Sequence, residues 1–130
     1  MHKITVDIHW FELIAAGIKT IEGRLANPKF GVDKWQIGDT ILINISTRNL
    51  YNPTASELVI NTNKSMIATI TSMKKYPNLA DYLNNHLYEA LPGIETVEEG
   101  IKIYRKYIGP ESEIKYGIWA ISLDKIHDQV

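Results

Sequence analysis

A period of two in the apolar residues predicts five β-strands along this chain. In the first predicted strand, apolar and polar residues alternate from Ile4 to Ile8, which indicates a strand with one buried face. Gly38-Asp39 then predicts a turn that leads into the third strand, with Asp39 as a turn residue. The other four strands are predicted at residues 20–25, 41–46, 66–76 and 116–123.

Apolar residues at helical spacing predict three helices. Their stripes lie at residues 10–14, 79–87 and 97–108. Gly17 is predicted to end the first helix, because glycine readily adopts the left-handed conformation found at helix ends. Thr96 and Glu99 form a capping box that begins the third helix, and Gly109-Pro110 is predicted to stop it. Tyr82 and Tyr104 are assigned to the core of the domain.

Residues 47–65 are rich in Asn, Thr and Ser and predict a long hairpin or flap. Such a connection can close over a ligand, and disorder is the alternative. Arg48 and Tyr51 lie at its base. A guanidinium and a phenol can hold a phosphate and stack on a base, or these two side chains can simply cap the fold.

Size and composition predict one domain that covers residues 1–130. A chain of this length with 45% hydrophobic residues can bury most of its apolar surface without a disulfide or a metal. It contains no cysteine, which excludes disulfides and thiol catalysis. No apolar run approaches the roughly 18 residues of a membrane span, and the first residues lack a signal-peptide core, so we expect a cytoplasmic protein with no membrane partner.

Neither a metal nor a cofactor is predicted. The four histidines show no close metal-ligand spacing, and no carboxylate cluster joins them. The sequence has no glycine-rich phosphate loop and no nucleophile-elbow motif. Oligomeric state is not predicted.

Charge argues against a protein that coats long nucleic acid. The formal net charge is −1, whereas that mode of binding needs many Lys and Arg to neutralise phosphates. Residues 19–35 are rich in Lys and Arg, but residues 78–101 contain five acidic residues and no Lys or Arg. This polarity suits a local site for one nucleotide or a short RNA segment, and ordinary solubilising charge is the alternative.

The richest chemistry lies in residues 17–24, which predict a short strand. Gly17, Gly23 and the β-branched Thr20 and Ile21 disfavour a helix here. On a strand from Thr20 to Leu25, alternation places Thr20, Glu22 and Arg24 on one face. Lys19 has the wrong parity for that face, unless a turn at Gly17 leaves it at the mouth of the strand. An exposed ion pair without function is the alternative interpretation.

Three motifs in order resemble those of the ASCH domain family, which belongs to the PUA-like superfamily. They are Gly17-x-Lys19-x-x-Glu22-x-Arg24, the Gly38-Asp39 turn and the segment from Tyr116 to Ile121, and together they span almost the whole chain. The resemblance implies an α+β fold, a PUA-like small mixed β-barrel with flanking short helices. It also implies a cleft, lined by the GxKxxExR motif, that recognises RNA or a modified nucleoside.

The resemblance leaves the activity open. Some bacterial relatives are amidohydrolases that deacylate N4-acetylcytidine with the motif lysine, a threonine three positions later and a distant glutamate. Lys19 matches that lysine, but Glu22 stands at the threonine position. If this chain is an enzyme, Lys19 stabilises an oxyanion or loses its proton near neutral pH, and Glu22 acts as general base on water. Other relatives have been assigned ribonuclease activity, so the resemblance also implies a ribonuclease as an alternative.

The predicted partner is RNA or a small nucleoside, and the different-class alternative is a protein-interaction module. Arg24 can contact a phosphate or a base edge, and Glu22 can accept a hydrogen bond from an exocyclic amine. Trp35 follows the motif strand and is expected at the edge of the cleft. The full set of predicted binding residues is Arg24, Thr20, Trp35, Arg48, Tyr51 and Lys74.

Overall fold

The strands form a single curled sheet in this computed structural model, which describes residues 1–47 and 64–129. The order of strands across the sheet is β1-β3-β4-β5-β2. β1 and β3 are parallel, and the other neighbouring pairs are antiparallel. The strands are β1 (His2–Val6), β2 (Ile21–Leu25), β3 (Thr40–Ile45), β4 (Ser65–Tyr76) and β5 (Ile118–Gln129). β1 and β2 are therefore the two edges of a half-barrel.

Four helices flank the sheet within the described ranges, in agreement with the predicted α+β fold. They are α1 (Ile8–Ala15), α2 (Leu79–Ala90), α3 (Val97–Tyr104) and α4 (Pro110–Tyr116). Two short 3-10 turns, Pro28–Phe30 and Val32–Lys34, follow β2. None of these helices is long and apolar enough to cross a membrane.

The alternating residues fill two cores on opposite faces of the sheet. Ile41, Ile43 and Met66 are completely buried on the concave face, where α1 packs against them. On the other face, Leu79 and Leu83 of α2 pack with α3 against β5. Tyr82 and Tyr104 also lie in this second core, as predicted.

Gly17 ends the first helical region, as its sequence predicts. Its φ of +75° is left-handed, a conformation that costs glycine little because it lacks a Cβ atom. The turn is closed by the amides of Ile18 and Lys19, which both donate to the carbonyl oxygen of Leu13, at 2.9 and 3.0 Å. The chain is thereby directed from α1 into β2.

Two side chains set the start of the later helices. The Thr96 hydroxyl accepts a hydrogen bond from the Glu99 amide at 3.2 Å, which confirms the predicted cap of α3. Glu113 of α4 is buried and accepts from the Leu79 amide at the start of α2, at 2.6 Å. Its other oxygen accepts from Arg105 at 2.8 Å, so this carboxylate joins three helical segments.

Several predicted boundaries were wrong. Ile8 belongs to α1, because Asp7 takes the extended N-cap conformation and its carbonyl begins the helical hydrogen bonds. The third helix ends at Tyr104, short of Ile108. Gly109-Pro110 therefore does not stop the third helix; proline is suited to a first helical position, and α4 begins at Pro110 and includes Tyr116. The predicted hairpin at 47–65 lies mostly outside the described residues.

Candidate functional site

A cavity of about 720 Å³ lies where the two edge strands face each other across the open side of the half-barrel. Residues 3–7 of β1 and its end line one side, and residues 22–25 of β2 line the other. The Nη2 atom of Arg24 donates to the main-chain oxygen of Thr5 at 2.8 Å and so connects the two edges. Five aromatic residues also line the cavity: Trp10, Phe30, Trp35, Tyr104 and Tyr107.

The register of β2 explains why Glu22 and Arg24 point into this cavity. They stand opposite Ile121 and Trp119 of β5, and directly opposite residues share a face of the sheet. Ile121 belongs to the core on the concave face, so Glu22 and Arg24 lie on the concave side. Gly23 between them faces the helices.

Lys19 lies beneath the cavity and is only 3% exposed. Its Nζ donates to the carbonyl oxygens of Ile21 at 2.5 Å and Ala90 at 2.6 Å, and lies 3.4 Å from Oε1 of Glu22. Ala90 is the last residue of α2, where the helix dipole favours a cation. The ammonium therefore donates to two main-chain carbonyls and forms an ion pair with Glu22.

Glu22 holds the cluster together. Its Oε2 accepts from Nε of Arg24 at 3.1 Å and from Nη2 at 2.7 Å, while Oε1 faces Lys19. The carboxylate is buried and its guanidinium partner is about one-third exposed. We call Lys19, Glu22 and Arg24 the charged cluster.

Electrostatics keep Glu22 ionised. Burial raises the pKa of its carboxyl, but the attraction of Arg24 and then of Lys19 outweighs burial and leaves the pKa below the ordinary value. Burial lowers the pKa of Lys19, and Glu22 offsets part of that effect. A carboxylate and two carbonyl oxygens around the amine favour its ammonium form.

A second polar group in the cavity was not predicted. The hydroxyl of Tyr107 donates to Oδ2 of the buried Asp7 at 2.5 Å, and Trp10 donates a hydrogen bond to the same hydroxyl. Burial and the Asp7 carboxylate raise the pKa of Tyr107 far above its ordinary value. Asp7 could have been noticed as the polar residue between an alternating strand and a helix, but no local signal joins it to Tyr107.

Trp35 lies at the cavity, as expected from the sequence. Its indole stacks on the imidazole of His2, with ring centroids 4.7 Å apart and planes inclined by 19°. His2 is held in turn by Oδ2 of Asp39, 2.7 Å from its Nε2. One face of the indole is therefore covered. Asp39 also accepts from the Gln36 amide at 2.9 Å, which agrees with its predicted place in a turn.

The structure does not bring Thr20 and Lys74 into this cavity. The amide of Thr20 donates to Glu89 at 3.1 Å and its carbonyl accepts from Leu123 at 2.8 Å, beside a separate depression of about 320 Å³. Strand β2 begins one residue later, so the predicted alternation does not extend to Thr20. Lys74 lies on β4 with its Nζ 5.3 Å from the Tyr76 ring. Arg48 and Tyr51 lie outside the described residues.

No metal centre can be assigned in the part of the chain that the structure describes. Within residues 1–47 and 64–129, no group of three or more His, Asp or Glu side chains could hold a metal ion. The cavity carries two carboxylates, Asp7 and Glu22, and each is engaged with protein donors. Its chemistry is therefore that of hydrogen bonding, charge and aromatic surface.

Comparisons with known proteins find one matching family model and several similar solved structures. The family model of the ASCH domain matches residues 4–127. The hypothetical protein PH0355 is 27% identical in its crystal structure, with a TM-score of 0.75 over 95% of this chain and 97% of that chain. No curated protein matches the chain.

Two further structures share the fold at lower identity. Protein PF0455 from Pyrococcus furiosus, solved by NMR in solution, is 24% identical, with a TM-score of 0.63 over 97% of both chains. The ASCH protein from Zymomonas mobilis is 13% identical in its crystal structure, with a TM-score of 0.62 over 97% of this chain and 68% of that one. These two likenesses concern the fold.

Proposed function

Because the chain belongs to the ASCH domain family, whose members are generally thought to bind RNA, we propose that it recognises RNA or a modified nucleoside in the cavity between β1 and β2. One observation carries the proposal. The charged cluster lies in an aromatic-walled cavity at the open side of the half-barrel, with the guanidinium of Arg24 partly exposed. Charged donors beside aromatic surfaces suit an unpaired base.

The size of the cavity favours a nucleoside or a short segment over a long strand. Its volume lies within the range of about 300 to 1,000 Å³ that is typical of small-molecule pockets. The chain has a net charge of −1, so an extended phosphate-binding groove is not supported. An unstacked base inserted between the edge strands is the simplest occupant.

Hydrolysis finds less support than binding. A carboxylate with a lowered pKa is a weak proton acceptor, so Glu22 is poorly suited as general base. The ammonium of Lys19 is already surrounded by acceptors, and Thr20, the hydroxyl residue next to Lys19 in the sequence, does not line the cavity. Among the described residues that line the cavity there is no histidine to act as a ribonuclease acid or base.

The test measures binding and turnover on the same samples. N4-acetylcytidine and a short single-stranded RNA are titrated into the protein by calorimetry, and each mixture is then analysed by chromatography. We expect binding without product, and we expect Arg24→Ala to abolish it. Lys102→Ala is the matched control, because it removes an exposed cation of α3 that does not line the cavity.

The outcomes separate the candidate functions. Product that disappears with Lys19→Ala would identify an amidohydrolase, or a ribonuclease if the RNA is cleaved. Binding that is equally weakened by both Arg24→Ala and Lys102→Ala would point to unspecific charge. Absence of both binding and turnover would favour a protein-interaction module. Circular dichroism of each variant checks that the fold is retained.

A further inference from the structure

The charged cluster has few hydrogen-bonding positions left for a ligand, and these can be identified atom by atom. A guanidinium has five N–H groups. In Arg24, Nε donates to Glu22, and the two N–H groups of Nη2 serve Glu22 and the main-chain oxygen of Thr5. Among the described residues, no acceptor is found for Nη1. The donors that Arg24 can offer to a ligand are therefore the two on Nη1.

Glu22 has one oxygen with spare capacity. Oε2 already accepts two hydrogen bonds from Arg24, whereas the contact of Oε1 with Lys19 is long, at 3.4 Å. A carboxylate oxygen has about two lone-pair sites. Because the pKa of Glu22 is lowered, the group is ionised and accepts hydrogen bonds without donating any. Oε1 is therefore an available acceptor.

Lys19 contributes charge but no direct contact. Its ammonium is enclosed by Ile21, Ala90 and Glu22, and the residue is 3% exposed. A ligand that needed a hydrogen bond from Lys19 would have to break one of these contacts inside the protein. The polar groups that the cluster presents are thus a donor from Arg24 beside an acceptor from Glu22.

The position beside Oε1 of Glu22 disfavours an anion. Glu22 and Asp7 are both buried in the cavity wall, where the cations are Lys3, Lys19 and Arg24, and Glu22 already pairs with Lys19 and Arg24. A phosphate has only acceptor oxygens at the Glu22 position and would meet a carboxylate there. A planar neutral group meets no such repulsion, and the aromatic walls bury its apolar faces.

We infer that the cavity recognises the uncharged hydrogen-bonding edge of a nucleobase and makes no contact with phosphate; this inference rests on the proposed function. An acceptor of the base faces Nη1 of Arg24, and a donor of the base faces Oε1 of Glu22. The amidine edge of cytosine or adenine and the imide edge of uracil have such neighbouring donors and acceptors. Specificity therefore comes from the base, and the sugar-phosphate backbone remains outside.

The experiment compares the four ribonucleosides with their 5′-monophosphates by calorimetry at 50 and 500 mM NaCl. We expect at least one nucleoside to bind, its monophosphate to bind no more than about threefold more tightly, and salt to change either affinity less than about threefold. A contact with the phosphate would instead weaken binding of the monophosphate by more than about threefold over this salt range while leaving the nucleoside unaffected, because salt screens the ion pair.

Arg24→Lys provides an independent readout, because it keeps the charge but removes the planar donor group. We expect nucleoside affinity to fall about tenfold or more. Lys102→Ala is the control for an exposed cation, and inorganic phosphate should not compete with the nucleoside.

Each other outcome overturns a different statement. A monophosphate that binds far more tightly than its nucleoside, or an Arg24→Lys variant with full affinity, would refute recognition of the base edge while leaving the proposed function intact. If nucleosides, monophosphates and short RNA all fail to bind, the proposed function itself is refuted, and this inference with it.

Discussion

Gly23→Ala tests whether the glycine in the motif strand is required by packing. A Cβ atom at this position would lie 2.6 Å from the hydroxyl oxygen of Tyr82, 2.7 Å from its Cζ and 2.8 Å from the hydroxyl oxygen of Tyr104. Favourable contacts between non-bonded carbon atoms begin near 3.5 Å. Because both tyrosines lie in the second core, the strand or the rings must move by roughly 0.5 to 1 Å.

The magnitude follows from two costs. Overpacking of a filled core typically costs about 1 to 3 kcal/mol. The hydroxyls of Tyr82 and Tyr104 are 2.6 Å apart and buried, and separating them would leave polar groups unsatisfied at about 1 to 3 kcal/mol. Alanine also restricts the unfolded chain more than glycine does, which stabilises the folded state by about 0.4 to 1 kcal/mol. We expect Gly23→Ala to lower the free energy of unfolding by about 2 to 4 kcal/mol.

Urea unfolding followed by circular dichroism measures this change as a lower midpoint with an unchanged slope. Gly100→Ala is the matched control in α3, because its Cβ would meet only leucine methyl groups at 3.0 to 3.1 Å and alanine favours a helix. Adding Tyr82→Phe to Gly23→Ala removes the nearest oxygen, so the double variant should lose less than the sum of the single losses. A Gly23→Ala protein as stable as the wild type would refute the packing argument.

Three further predictions concern charged groups. Glu22→Gln should lower the free energy of unfolding by about 2 to 3 kcal/mol, measured with urea at pH 7. Breaking a fully buried ion pair costs about 3 to 5 kcal/mol, and the loss is smaller here because Arg24 is partly exposed. Because the folded-state pKa of Glu22 is lowered, the carboxylate stabilises the protein above the ordinary pKa of 4.5, and this stabilisation is lost as the pH falls. A difference in unfolding free energy between variant and wild type that persists in acid would contradict this reasoning. Glu113→Ala removes the acceptor of a buried amide and should lower the unfolding free energy by about 2 kcal/mol, and an unchanged urea midpoint would contradict that role. His2→Ala should raise the carboxyl pKa of Asp39 towards 3.8, because the hydrogen bond from His2 is the main cause of the lowered pKa. An NMR titration of Asp39 that is unchanged in the variant would contradict this role of His2.

Local patterns were enough to predict much of the framework. The alternation of Ile41, Ile43 and Ile45 identified a strand with one buried face, and Gly17 ended a helix where a left-handed residue was needed. The motif resemblance indicated the ASCH family and its fold. The parity of β2 also placed Glu22 and Arg24 together, because a strand fixes the side of each residue without reference to the rest of the fold.

What local patterns missed depends on contacts between distant residues. The burial of Lys19 requires the carbonyl of Ala90, 71 positions away, and Asp7 is joined to Tyr107 across 100 positions. Thr20 was assigned to the Glu22 face because alternation cannot tell where a strand begins. Gly109-Pro110 predicts a helix stop and a helix start equally well, so α4 was missed.

The contact between Arg24 and Thr5 also bears on how this protein avoids aggregation. An open half-barrel leaves the edges of β1 and β2 with main-chain groups that another chain could pair with. Arg24 occupies the carbonyl of Thr5 on one edge, and Lys19 occupies that of Ile21 on the other. A charged side chain thus occupies one main-chain acceptor on each edge, so the groups that give the cavity its charge also lower the capacity of these edges to pair with another strand.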